Sequence, residues 1–165
     1  MNFFKAVIPL FLIVLFISCD QQEDDTIPPM LDHDLAGSFP KNCDTLYFGN
    51  TYSFKYLLSD NLELHSLTIE ISHNFDGHTH ETAAPVCHTI EAKTPVFPFF
   101  YSNEFLLAQG LTVHTSDAII WFPIEDCCGL PYDEGDYHVA LRITDKAGLY
   151  SEKMLNIKLL IPVSH

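Results

Sequence analysis

The sequence is poor in the residues on which nucleotide and nucleic-acid sites depend. Its 165 residues include 7 glycines and 8 lysines and arginines, against 22 aspartates and glutamates, for a formal net charge of −14. Such a balance excludes a phosphate-tracking surface and a basic face for anionic lipid headgroups. The few glycines leave little material for a nucleotide cradle. No Gly-rich phosphate loop, G-x-S-x-G elbow or H-E-x-x-H helix occurs. Carboxylates abound without a spacing that identifies a catalytic pair, and the neighbours Cys87 and His88 would point to opposite faces of a strand. The chain therefore reads as non-catalytic. Only one long apolar run exists, at the N-terminus, which excludes a polytopic helical membrane protein. What is plentiful is apolar and aromatic material, 47% and 13%, enough to exclude global disorder in a chain of about one domain.

Residues 1–18 read as a signal peptide. Lys5 supplies the positive start, and Ala6 to Ile17 forms a 12-residue apolar run broken by Pro9. That is short for a span, which needs ~20 residues, and right for a secretory signal. Phe16-Ile17-Ser18-Cys19 resembles a bacterial lipobox. Cys19 is thus expected to be the lipidated N-terminus, holding the membrane through two or three acyl chains. Beyond the signal, 7 basic residues face 22 acidic ones, a net of −15. Residues 19–34 follow as the lipidated cysteine and an acidic, disordered tether, with six acids, no Lys or Arg, and Pro28-Pro29 as a stiffener. The folded domain is expected over 35–165. The acid run resembles the surface-export signal of Bacteroidetes lipoproteins, which would place the domain outside the outer membrane. A competing rule reads Asp20, directly after the cysteine, as retention on the periplasmic face of the inner membrane. Several acids rather than one favour the surface.

Setting Cys19 aside leaves Cys43, Cys87, Cys127 and Cys128, an even number in an oxidising location. A bond between the adjacent Cys127 and Cys128 would close a strained ring. Cys43 and Cys87 are therefore expected each to meet one of that pair. No C-x-x-C spacing points to a structural zinc site.

After residue 35 no sustained 3.6-residue stripe appears, whereas period-two alternation recurs. It is clearest in Leu67–Ser72, Tyr137–Thr144 and Leu155–Ile161, and weaker in Thr51–Leu58, Val86–Ala92, Val96–Tyr101 and Leu111–Phe122. Asn103–Gln109 alone competes for helix. Turn residues separate these runs at Ser59-Asp60-Asn61, Phe75-Asp76-Gly77, Asp133-Glu134-Gly135 and Asp145-Lys146-Ala147-Gly148. About seven short, half-buried strands predict an all-β fold, a two-sheet antiparallel sandwich.

The run Leu67-Thr68-Ile69-Glu70-Ile71-Ser72-His73-Asn74-Phe75-Asp76-Gly77-His78-Thr79-His80, with Gly135-Asp136-Tyr137-His138 and Thr144-Asp145-Lys146-Ala147-Gly148, resembles a family of uncharacterised Bacteroidetes lipoproteins. The resemblance runs from about residue 27 to 161 and rests most on the His-rich loop. It implies an immunoglobulin-like sandwich after a lipobox. The adjacent cysteines and the loop at Leu130-Pro131 depart from the family pattern. The family carries no settled activity.

Three histidines, His73, His78 and His80, fall within eight residues, with Asp76 and Glu81 interleaved. Neutral imidazole suits zinc and copper. His78 and His80, two apart, share a side of an extended segment. His138 is a candidate fourth ligand, expected on the exposed side of its strand while Tyr137 turns inward. The plain alternative is solvated or turn-capping histidines. A third reading is recognition of an extracellular protein or glycan. Phe97-Pro98-Phe99-Phe100-Tyr101 cannot all face inward on one strand, so Phe99, Phe100 and Tyr101 are candidate partner contacts. Trp121 and Phe122 could extend that platform, although aromatics mostly fill sandwich cores.

Overall fold

The computed structural model describes residues 24–77, 87 and 92–163. Every regular element among them is a strand: β1 (Met30–Asp32), β2 (Thr45–Tyr47), β3 (Thr51–Phe54), β4 (Leu57–Ser59), β5 (Leu64–His73), β6 (Tyr101–Leu106), β7 (Val113–Thr115), β8 (Ala118–Trp121), β9 (Gly135–Asp145) and β10 (Tyr150–Leu160). The larger sheet runs β2-β10-β9-β5-β6, with β2 parallel to β10 and the other pairs antiparallel. Opposite it lie β1-β4-β7 and β3-β8.

The three runs with the cleanest alternation form the three longest strands, which lie side by side. Leu67, Ile69 and Ile71, then Tyr137, Val139, Leu141 and Ile143, then Leu155, Ile157 and Leu159, all turn inward and are buried. Phe54, Leu58, Ile120 and Phe122 close the core from the other layer. Each such side chain contributes roughly 1.5–3 kcal/mol on burial. The result is an all-β sandwich.

The weaker expectations fare differently. Thr51–Leu58 and Leu111–Phe122 each split into two strands. Ser116 explains the break: its hydroxyl accepts from Tyr56 N at 2.9 Å and donates to Phe54 O at 3.1 Å, replacing a ladder rung. Ser116 N then donates to Tyr56 O at 2.9 Å, so β3/β4 and β7/β8 behave as two long interrupted strands. Asn103–Gln109 is not helical, since β6 pairs along β5 from Ile71↔Tyr101 to Ser66↔Leu106. Val96–Tyr101 is not a strand before Tyr101. Asp133 Oδ2 accepts from both Val96 N and Phe97 N at 2.7 Å and holds that segment against the corner before β9. Val86–Ala92 lies mostly outside the described residues. Met30–Asp32, within the stretch expected as tether, pairs with β4, and Leu31 is buried beneath it.

One signal escaped the sequence reading. Tyr137, near the start of β9, donates its hydroxyl to Asp133 O at 2.6 Å and accepts from Phe99 N at 3.1 Å. A strand-opening tyrosine bonded back to the preceding corner is a hallmark of immunoglobulin-like sandwiches.

Candidate functional site

The sandwich has two ends with different chemistry. One end gathers the β2–β3 turn, the close of β8, the 122–134 loop and the end of β5. The other gathers the segment before β1, the β4–β5 turn and the β9–β10 turn. The interrupted strand from Thr51 to Ser59 joins them, a span of about 25–30 Å at ~3.3 Å per residue.

At the first end the candidate histidines separate. The ladder pairs His73 with Tyr137 and Ser72 with His138. Cross-strand partners share a face, so His73 faces the core side and His138 the other. His73 packs on Phe75, ring centroids 5.1 Å apart, and its Nδ1 is buried with no hydrogen-bond partner among the described residues. His138 is 4% exposed, which corrects its expected place on an open rim. Along that face Asn156 is its ladder neighbour, and Cys87 Sγ lies 4.0 Å from the backbone oxygen of Asn156, at the edge of β10. His73 and His138 thus cannot share one ion. Asp76 is exposed in the turn after β5. His78, His80 and Glu81 lie outside the described residues.

The cysteine pairing also differs from expectation. Cys43 and Cys87 bond to each other, with Cα atoms 5.4 Å apart. Cys43 N donates to Asn156 O at 2.7 Å, which sets Cys43 beside β10 where Cys87 also lies. Cys127 and Cys128 are exposed and free, their sulfurs 3.8 Å apart in the turn that Asp126 Oδ1 organises by accepting from Cys128 N and Leu130 N. Neither can reach Cys43 or Cys87, because those two are already joined.

The aromatic candidates divide by burial. Phe99 is buried, 5% exposed, wedged against Tyr132 and Phe122 at ring-centroid distances of 5.2 and 5.4 Å, so it is core and not a contact. Tyr101 is half-buried, and burial raises its phenol above the usual range. Phe100 is 63% exposed. Phe97 stacks on Tyr132 at 5.3 Å. Burial, with the Asp126 carboxylate and Cys127 nearby, holds the Tyr132 phenol above its usual range.

An exposed apolar pair lies on β8. Ala118 and Ile120 turn inward, leaving Ile119 and Trp121 outward at 66% and 63% exposure. Trp121 walls a shallow trough with Gly49, Pro123, Ile124, Glu125 and Asp126. Gly49 is required there: its φ is +81°, and a Cβ would stand 3.2 Å from Ile124 Cδ1.

Fold and surface together define a small all-β sandwich domain with a shallow trough at one end. The chain belongs to the family described as Domain of unknown function (DUF4625), whose family model matches residues 17–160. Comparison with the curated proteins finds no match.

Proposed function

We propose that this protein is a non-catalytic binding module, tethered through lipidated Cys19 to the outer face of a Bacteroidetes outer membrane, that takes a neutral glycan in the Trp121 trough. The observation that carries the reading is Trp121 itself. It is 63% exposed, beside Ile119 and Ile124, at the end of the sandwich away from the segment before β1 where the tether joins. An indole flanked by carboxylates suits a sugar, whose C–H face packs on the ring while its hydroxyls donate to Glu125 and Asp126. The charge of −14 opposes acidic polysaccharides. Membrane attachment is supported by the lipobox-like run Phe16-Ile17-Ser18-Cys19.

Native electrophoresis through gels containing xylan, mannan, β-glucan or starch tests the trough. Retardation by at least one polysaccharide, lost in Trp121→Ala with the fold intact, is the expected result. No retardation by any of them sinks the glycan reading. Labelling cells with a palmitate analogue tests the anchor: a Cys19→Ala variant that labels as strongly as wild type would remove it.

A second reading keeps a transition metal, zinc or copper, at His73, His78 and His80, with Asp76 or Glu81 completing the set. It is favoured by the unpartnered, buried Nδ1 of His73.

A further inference from the structure

Three aspartates far apart in sequence converge at the end of the sandwich opposite the trough. Asp25 precedes β1, Asp60 opens the β4–β5 turn, and Asp145 closes β9. One oxygen from each lies within 4.8 Å of the other two. Like charges this close repel unless something neutralises them. Lys146, the residue after Asp145, does not serve, because its Nζ is taken by Glu63 Oε2 at 2.7 Å. Among the described residues no ion pair reaches any of the three carboxylates.

Their hydrogen bonds show how the cluster is held and what it lacks. Asp60 Oδ2 accepts from Leu62 N and Glu63 N at 2.8 and 2.7 Å. Asp145 Oδ1 accepts from Leu149 N at 2.8 Å, and Asp25 Oδ1 from Ile27 N and Asn61 Nδ2 at 3.1 and 3.0 Å. Backbone donors thus fix each carboxylate through one oxygen. Among the described residues the other oxygens, Asp60 Oδ1 and Asp145 Oδ2, are buried and have no hydrogen-bond partner. Asp145 as a whole is only 1% exposed. A buried carboxylate oxygen without a donor is costly, and in a cluster of three a cation is the partner that removes both the desolvation and the repulsion.

We propose that Asp25, Asp60 and Asp145 hold a calcium ion. The ligands are all oxygen, which selects a hard cation over zinc or copper. Calcium–oxygen distances of 2.3–2.6 Å give a coordination shell roughly 4.6–5.2 Å across, so separations within 4.8 Å fit a single ion. Three ligands from three separate segments of the chain suit calcium's irregular geometry better than the strict octahedron of magnesium. The ion would fasten the segment before β1 to both turns. Asp25 is six residues after Cys19, no more than about 20 Å of extended chain, so calcium would stiffen the root by which the domain leaves its anchor.

The test is calorimetric titration of calcium into the mature chain after chelator treatment at fixed ionic strength, with thermal melts in parallel. Saturable one-site binding with a raised melting temperature is expected. Asp25→Asn and Asp60→Asn should each weaken it by about tenfold or more through the lost charge, and Glu104→Gln on the exposed strand β6 should not. Should Asp145→Asn fail to fold, Asp25→Asn, at a less buried position, still decides. Absence of saturable binding at millimolar calcium, equal affinity in the Asp25 and Glu104 variants, or equal competition by magnesium would overturn the assignment.

Discussion

The ring of Phe75 lies directly on the backbone of Gly135. A Cβ on that glycine would stand 2.5 Å from Phe75 Cε1 and 2.9 Å from Cδ1, and its φ of +152° already disfavours a side chain. Phe75 in turn meets Tyr137 edge-on, ring centroids 5.3 Å apart, and supports His73. Gly135→Ala must displace this ring from a packed corner. It is expected to cost about 1–3 kcal/mol, the range for overpacking, read as a lowered midpoint in urea without change of slope. A variant as stable as wild type would show that the ring does not sit there.

Two buried phenols make the fold sensitive to alkali. Burial raises Tyr56, with Asp44 adding to it, and burial raises Tyr137, with the Phe99 N–H opposing and Asp133 adding. Both folded values lie above the unfolded one near 10. Below about pH 10 both states hold neutral phenols, so this contribution is fully present. Above it the unfolded chain sheds protons that the folded chain keeps. Stability should then fall by up to about 1.4 kcal/mol per pH unit for each phenol. Denaturation midpoints between pH 8 and 11 check this. Tyr137→Phe should flatten the alkaline limb while lowering stability at pH 7 by about 1–3 kcal/mol, since Phe99 N loses its acceptor.

The legible part of the fold was the part where alternation is strict. In Leu67–Ser72 and Tyr137–Thr144 one face is apolar and the other mostly polar, which is what a half-buried strand requires. Where a side chain replaces a backbone partner, as Ser116 does, sequence shows one strand and the ladder shows two. Phe97–Tyr101 is apolar throughout, so periodicity could not say that Asp133 would hold it as a loop. His138 alternates outward as read, yet outward is not the same as exposed, for it is 4% exposed. The pairing of Cys43 with Cys87 carried no sequence signal at all, and neither did the meeting of Asp25, Asp60 and Asp145, whose spacing of tens of residues reads only as turn chemistry.

A thiol count on denatured, unreduced mature protein should find two reactive cysteines, from Cys127 and Cys128, and one disulfide, from Cys43 and Cys87. The bridge closes a loop with a sequence separation of 44, so Cys43→Ala with Cys87→Ala should cost about 2–4 kcal/mol by chain entropy. Peptide mapping that pairs either member of the 127–128 doublet with Cys43 or Cys87 would contradict the structure.

The opposite-facing histidines sharpen the transition-metal reading into a test. His73 has an unpartnered Nδ1 on the core side of β5, whereas His138 is buried on the other side of the same sheet. If His73, His78 and His80 hold zinc or copper, His78→Ala with His80→Ala should abolish binding at micromolar metal. His138→Ala should leave affinity unchanged, because a ligand cannot reach through the sheet. The two sites in the molecule should also separate by ligand type: Asp60→Asn should leave zinc and copper binding intact while weakening calcium, since imidazole and carboxylate sort soft from hard cations. Zinc binding that is weak, falls with salt and survives the double histidine substitution belongs to the acidic surface at large. That result would retire the histidine site and leave Trp121 as the place where this domain meets its ligand.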